Sequence, residues 1–219
     1  MKINGFNVRE IGKNEIEEMT KVHLNAFDNS LLTKLGPKIV SRYYLWQFSE
    51  IEKYDKKIFS SGVFLENELV AFTIFGLPRN AKIGFLRSNW HLLFIGVLFN
   101  IDKLDLIKFK GVLSNFSYLL KKNIFSKKTK KKSKLNVYSE SYGILVTACK
   151  KEFEGRGFGT LLMRSAEKIA KMQLAPSIHL SVRAENKSAW KIYEALGYEK
   201  VLDSDGNWSS FSMIKNFKK

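Results

Sequence analysis

One cysteine, three widely separated histidines and no unbroken apolar run of membrane-spanning length are the first absences in this 219-residue sequence. A single thiol, Cys149, excludes a disulfide framework and suits a reducing compartment. Scattered histidines and a lone cysteine give no metal-ligand spacing, so no metal site is expected. The apolar stretch from Trp90 to Leu120 is interrupted by Asn100, Asp102, Lys103 and Asp105 before about 20 apolar residues accumulate, which argues against a spanning helix. Met1-Lys2-Ile3-Asn4-Gly5 has no long apolar core, so the expectation is no signal peptide and a cytoplasmic location. The glycine-rich segment Glu154 to Thr160 is not followed by Gly-Lys-Ser/Thr, so it is no Walker loop, and its spacing is not the dinucleotide fingerprint.

Acidic residues are also scarce, 21 against 37 Lys and Arg, which leaves a net charge of +16. Half of that excess lies between Lys121 and Lys134, where eight of fourteen residues are lysine. Such a run reads first as a solvated loop and next as an attraction to an anionic membrane surface. Nucleic acid ranks last, because only Phe125 is interleaved with the lysines and no arginine is. A general positive field also suits a polyanionic ligand. Length and an ordinary apolar fraction of 45% fit one globular domain over residues 1–219, with room for an insertion.

What is present is a passage from strand to turn to helix. An apolar run, Ile144 to Cys149, leads into Glu154-Gly155-Arg156-Gly157-Phe158-Gly159-Thr160, and an amphipathic helix follows from Thr160 to about Gln173. Alternate glycines let the backbone approach a bulky ligand, and the helix start turns free N–H groups and a positive dipole end into the turn. Together they suit a diphosphate. Downstream, Ile178 to Val182 alternates as a strand. Asn186 can cap a helix with Ala189, Ile192, Tyr193 and Leu196 on one face, and Gly197 ends it. Asp205-Gly206 signals a hairpin between the run opened by Tyr198 and Trp208 to Ile214. Upstream, Phe6 to Ile11 reads as a strand, Asn14 to Phe27 as a helix, and Ser30 to about Phe48 as a second helix interrupted near Gly36-Pro37. Ser61–Leu65 and Glu68–Phe75 flank a Glu66-Asn67 turn as a strand pair.

The order strand, Glu154-Gly-Arg-Gly-Phe-Gly159, helix, strand, Asn186-x-x-Ala189-x-x-x-Tyr193-Glu-x-x-Gly197-Tyr198 resembles the GCN5-related N-acetyltransferase superfamily over about Ile144 to Val201. The resemblance implies a mixed α/β (α+β) fold: a mostly antiparallel twisted sheet flanked by helices, with acetyl-CoA as cosubstrate and acyl transfer to a primary amine by direct attack in a ternary complex. It implies that Arg156, Gly157, Phe158, Gly159 and Thr160 hold the CoA pyrophosphate, that Ala148 and Cys149 lie along the pantetheine arm, and that Asn186 joins the cofactor site. Tyr193 matches the tyrosine that protonates the departing thiolate. One departure is Glu154, where the family usually has Gln or Arg; its carboxylate is expected to turn to solvent. A fainter likeness, through His23-Leu-Asn-Ala-Phe27, Leu35-Gly-Pro37 and Tyr43-Tyr44, is to acetyltransferases among surface-polysaccharide enzymes. It favours a small amine acceptor such as an amino sugar, free or nucleotide-linked. A protein α-amine or lysine is the second enzyme reading, and a non-catalytic CoA-binding or membrane-docking module the rival from another class.

Residues 78–138 are the anomaly. The family joins its third and fourth strands by a short turn, whereas here a helical, Lys-rich insertion intervenes. Three readings stand for it: helices packed on the domain or in a homodimer contact, a cover over the acceptor site, or a peripheral contact with an anionic membrane.

The chemistry asks for a neutral amine. An alkylamine with pKa ~10.4 is neutral in about one molecule in a few thousand at pH 7, a deficit of ~4.6 kcal/mol that a base or a less basic acceptor must offset. The candidate bases are Glu140 and His179, with His23 and Glu185 more distant. Cys149, without a neighbouring histidine in sequence, reads as a small apolar filler rather than a nucleophile.

Overall fold

The computed structural model describes residues 2–3, 5–54, 58–77, 85, 89, 141–201 and 210–217. Glu140, the turn at Asp205-Gly206, and the 78–138 insertion apart from Phe85 and Asn89 lie outside the described residues.

The chain begins with β1 (Lys2–Ile3) and β2 (Phe6–Arg9), then α1 (Ile16–Ala26), α2 (Leu31–Lys34) and α3 (Pro37–Tyr54). Glu15 starts α1 by accepting the Gly12 N–H at 2.8 Å while it holds Arg9 at 2.7 Å. Ser30 caps α2 by accepting the Thr33 N–H at 3.1 Å. Gly36, with φ of +99°, makes the left-handed step that lets Pro37 open α3. The interruption expected at Gly36-Pro37 is therefore a break between two helices. The second helix runs six residues beyond Phe48, because no glycine or proline stops it before Tyr54.

A hairpin of β3 (Ile58–Leu65) and β4 (Glu68–Gly76) follows, with Glu66 at φ of +55° in its turn. After the insertion come β5 (Tyr142–Cys149), α4 (Phe158–Met172), β6 (Ser177–Arg183), α5 (Lys187–Ala195), β7 (Glu199–Val201) and β8 (Ser210–Asn216). The strands form one sheet in the order β1-β2-β3-β4-β5-β6-β8-β7. Every neighbouring pair is antiparallel except β5 with β6. The short β1 shifts the strand count by one, so the expected third and fourth strands are β4 and β5.

Two layers of helix cover the sheet. On one face, Met19 and Val22 of α1 and Val40 and Tyr44 of α3 pack on Phe72, Ile74 and Ala148. On the other, Met163, Ala166 and Ala170 of α4 pack on Ile178, Leu180, Val182 and Met213. Phe158 and Leu162, at the start of α4, reach Val63, Val70 and Ala71. Phe85 joins Leu35 and Ile39, and Asn89 accepts from Arg42 at 3.1 Å, which anchors the start of the insertion on α2 and α3.

Gly62 lies where β3 passes under this packing. A Cβ there would stand 2.6 Å from both Ile11 Cγ2 and Leu69 Cδ1. Gly62→Ala is expected to overpack the core by about 1–3 kcal/mol, read as a lower urea midpoint with an unchanged m-value. A midpoint equal to that of the parent would contradict this packing.

Candidate active site

β5 and β6 stay together for only two residue pairs, Tyr142 with Ile178 and Gly143 with His179, and then diverge. The cause lies on the other edge of β5. Ile74 faces Val146 while Phe75 faces Ile144, so Leu145 is an extra residue in β5, a bulge. A bulge bends its strand and sharpens its twist. Here it carries β5 away from β6 and opens the sheet along Ile144 to Cys149.

The opening is a cleft of about 620 Å³. Ile144 to Thr147 form one wall and Leu180 to Arg183 the other. Asn186, Ala189 and Tyr193 of α5 close one side, and Ala26 to Ser30, between α1 and α2, close the opposite side. The main chain of β5 supplies polar groups to it. Lys150 N–H donates to Val70 O at 2.9 Å, and Thr73 Oγ1 donates to Val146 O at 3.0 Å, so Val146, Ala148 and Lys150 point their main-chain groups at β4. By strand alternation, the amides of Thr147 and Cys149 face the widening gap. Ala148 pairs with Phe72 and gives its methyl to the core.

At the end of β5 the glycine turn leads into α4. Gly155 and Gly157 have φ of +76° and +83°, and a Cβ at either would meet nothing within 4 Å. Backbone conformation, not crowding, therefore requires glycine at both. Gly157 is the N-cap of α4 and no side chain caps it, so the amides of the first turn, Phe158, Gly159 and Thr160 among them, are the unpaired donors of a helix start. Gly159 is inside the helix, its position for a Cβ 4.0 Å from Ile192 Cδ1. Glu154 is exposed, as is Arg156, whose guanidinium lies 5.0 Å from the centre of the Phe153 ring. Donor amides, a helix dipole and a solvent-directed Glu154 fit a diphosphate.

Tyr193 lines the cleft from α5, its ring 6.0 Å from that of Tyr198. Burial raises its phenol above the ordinary value, so it carries its proton at neutral pH. Its helix ends in a Schellman turn, with Tyr198 N–H donating to Tyr193 O at 2.9 Å, Gly197 N–H donating to Glu194 O at 2.9 Å, and Gly197 at φ of +84°. Asn186 caps the same helix by accepting the Ala189 N–H at 3.2 Å. The Asn-x-x-Ala frame thus fixes both ends of the element that aims Tyr193. Cys149 is pushed up to about 11 by burial, by Glu154 and by Glu152 against a smaller opposing effect of Arg156, so it is a neutral thiol.

His179 sits at the closed end of the opening and is not among the residues that line it. Its Nδ1 is 2.9 Å from Ser141 Oγ, which accepts from Ser177 Oγ at 2.8 Å. Burial lowers its pKa, so the imidazole is neutral at pH 7. His23 lies in the core between α1 and α3, where its Nδ1 and Tyr44 Oη share a hydrogen bond of 2.6 Å. Burial lowers it to about 4. Between that value and the ordinary 6.5 the unfolded chain binds a proton that the folded chain does not. Stability through His23 is thus full above pH 6.5 and is lost as pH falls toward 4. Going from pH 7 to pH 5 should cost about 2 kcal/mol by this route, a loss that His23→Gln does not share. Equal shifts of the urea midpoint in both proteins would refute it. Glu185 lines the cleft and pairs with Arg183 at 3.2 Å.

Sequence reasoning did not find the bulge at Leu145 or the wall from Ala26 to Ser30. Leu145 sits in an apolar run without a glycine or polar mark. Ser30 was legible as the start of a helix, but its place across the cleft from α5 was not.

An open sheet divided where β5 and β6 run parallel, with a glycine turn and helix start beyond the divergence, defines the acyl-CoA N-acyltransferase fold. Residues 124–208 match the model of the family described as FR47-like protein. The structure is similar to the PaiA N-acetyltransferase of Thermoplasma acidophilum in complex with coenzyme A, at 15% identity and TM-score 0.54, covering 97% of this chain and 99% of that one. A putative acetyltransferase of Acinetobacter baylyi superposes with TM-score 0.60 at 13% identity, over 97% of this chain and 92% of the other. A ribosomal-protein-alanine N-acetyltransferase of Brucella melitensis does so with TM-score 0.57 at 10% identity, over 96% and 99%. No curated protein matches. Over residues 124–208 the chain is similar to that family, and its fold is the one these acetyltransferases share.

Proposed function

We propose that this protein transfers the acetyl group of acetyl-CoA to the primary amine of a small polar acceptor, with an amino sugar as the first choice. One observation carries the proposal: the cleft beside the Leu145 bulge brings Tyr193 to the part of β5, Ile144 to Thr147, that leads on to the glycine turn. The diphosphate is assigned to the amides of the α4 start, with Arg156 beside them. The pantetheine arm is assigned to the free edge of β5 at Thr147 and Cys149, where it pairs as an added strand would.

In the reaction, the amine lone pair attacks the thioester carbonyl carbon. A C–N bond forms, the C–S bond breaks, and the sulfur leaves as a thiolate. Tyr193 donates its phenolic proton to that sulfur. The proton lost by the nitrogen returns to the tyrosine through solvent, so the products are the amide and free CoA. Attack needs the neutral amine, and amino-sugar amines, less basic than lysine, ask for less proton removal.

The polar acceptor is supported by the lining of the cleft. Asp28, Asn29, Ser30, Ser181 and Glu185 offer carboxylates and hydrogen-bonding groups suited to an ammonium and hydroxyls. The Lys151 ammonium, hydrogen-bonded to Asp28, holds that carboxyl below its usual value, so it is ionised at neutral pH. A protein α-amine is the second reading, prompted by the Brucella neighbour's name. A cytoplasmic location accords with the single free cysteine.

The test is thiol release from acetyl-CoA across amino sugars, nucleotide-linked amino sugars, polyamines and peptides with free α-amines. Turnover with the sugars supports the proposal. Turnover with the peptides alone replaces the acceptor class, and binding of acetyl-CoA without turnover on any class overturns the catalytic reading.

A further inference from the structure

The wall of the cleft at Ala26 to Ser30 and the glycine turn belong to segments far apart in the chain, yet they are joined. Asn25, the second-last residue of α1, accepts the main-chain N–H of Lys151 through Oδ1 at 2.7 Å, across 126 residues. Its amide nitrogen donates to Glu152 Oε2 at 3.4 Å. Asp28, inside the wall, takes Lys151 Nζ at 2.6 Å.

Lys151 opens a short 3-10 turn, Lys151–Phe153, that feeds the glycine turn. Lys150, just before it, is fixed by its bond to Val70 O and its ion pair with Glu68. Phe153, at the end of the 3-10 turn, lies under the Arg156 guanidinium and 6.4 Å from the Phe158 ring. A continuous set of contacts therefore runs from the acceptor wall through Asn25 and Lys151 to the residues assigned to the diphosphate. The two partners in it differ in weight. Asp28 and Lys151 are more than half exposed, and such a pair is screened and weak. Asn25 satisfies a main-chain donor and has one directed geometry, so the coupling rests on it.

We propose that Asn25 is a positioning residue that ties the acceptor wall to the cofactor turn, so that filling the turn with CoA orders residues 26–35. The proposal rests on the CoA reading above. Asn25 itself is exposed and belongs to no core cluster, so its replacement does not open the core.

Hydrogen exchange with and without CoA tests it, on the full chain and on Asn25→Ala. In the parent, CoA should slow exchange at 155–162 and, about threefold to tenfold, at 26–35. In Asn25→Ala the first effect should remain while most of the second disappears. Asn25→Asp, which keeps an oxygen for the Lys151 N–H but sets a second carboxylate beside Glu152, should restore part of it. Protection at 26–35 that is equal in parent and Asn25→Ala, or absent from the parent while 155–162 is protected, overturns the coupling alone. No protection at 155–162 in the parent overturns the CoA reading itself.

Discussion

Tyr193→Phe is expected to lower kcat about 100-fold or more while the Kd for acetyl-CoA changes little, since general acid assistance supplies about 10²–10⁴. The loss corresponds to about 2.7 kcal/mol of transition-state stabilisation. The asymmetry between kcat and binding follows from where the phenol acts. It lines the cleft from α5, whereas the diphosphate is assigned to the start of α4 and the pantetheine arm to the edge of β5. A proton delivered only as the C–S bond breaks contributes nothing to the ground state. Stopped-flow binding of acetyl-CoA and steady-state turnover on one sample decide the matter, and unchanged turnover removes Tyr193 from the chemistry.

The pH profile separates the tyrosine from the amine. Burial raises the Tyr193 pKa above its ordinary 10, so the protonated, active form persists through neutral and mildly alkaline solution. The acceptor gains reactive neutral amine about tenfold per pH unit until its own pKa is reached. kcat/KM should therefore climb with unit slope from pH 7 and level at the acceptor's pKa, and any descending limb due to Tyr193 should lie above pH 10. A fall beginning below pH 9 would mean that another acid carries the step.

Gly157→Val should weaken acetyl-CoA binding about 10- to 100-fold, with a smaller effect on overall stability. At φ of +83° a β-branched residue is strained by about 1–3 kcal/mol. The open space around the missing Cβ shows that the penalty is one of backbone conformation. The strain is relieved if the turn flips Gly157 out of the left-handed region, which redirects the first amides of α4 and loses the anion site. Gly157→Asn, which tolerates that region better, should cost only a few-fold. Calorimetric titration with CoA reads both variants, and equal losses would show that contact with the ligand, rather than backbone conformation, sets the requirement.

Much of this was legible in the chain. Gly36-Pro37 marks a helix break and Asn186 a cap, and Gly197 a helix end, because each acts on groups within a few residues. The glycine turn was legible for the same reason, since left-handed conformations at Gly155 and Gly157 are local demands. Tyr193 was placed by the spacing from Asn186, which the α5 helix preserves. His179 shows the limit. Its strand was correctly read, but its position at the closed end of the sheet depends on a register with β5 that no local pattern encodes.

The sequence by itself determined the type and order of most of the described elements and the residue types at the turn, because hydrophobic period, caps and φ preferences are properties of neighbouring residues. Only the tertiary structure decided that β5 bulges at Leu145, that the sheet opens there, and that Asn25 meets Lys151. Those outcomes follow from how strands share hydrogen bonds and how two packed faces compete for one sheet. They are set by segments separated by up to 126 residues, whose mutual distance the linear order leaves free.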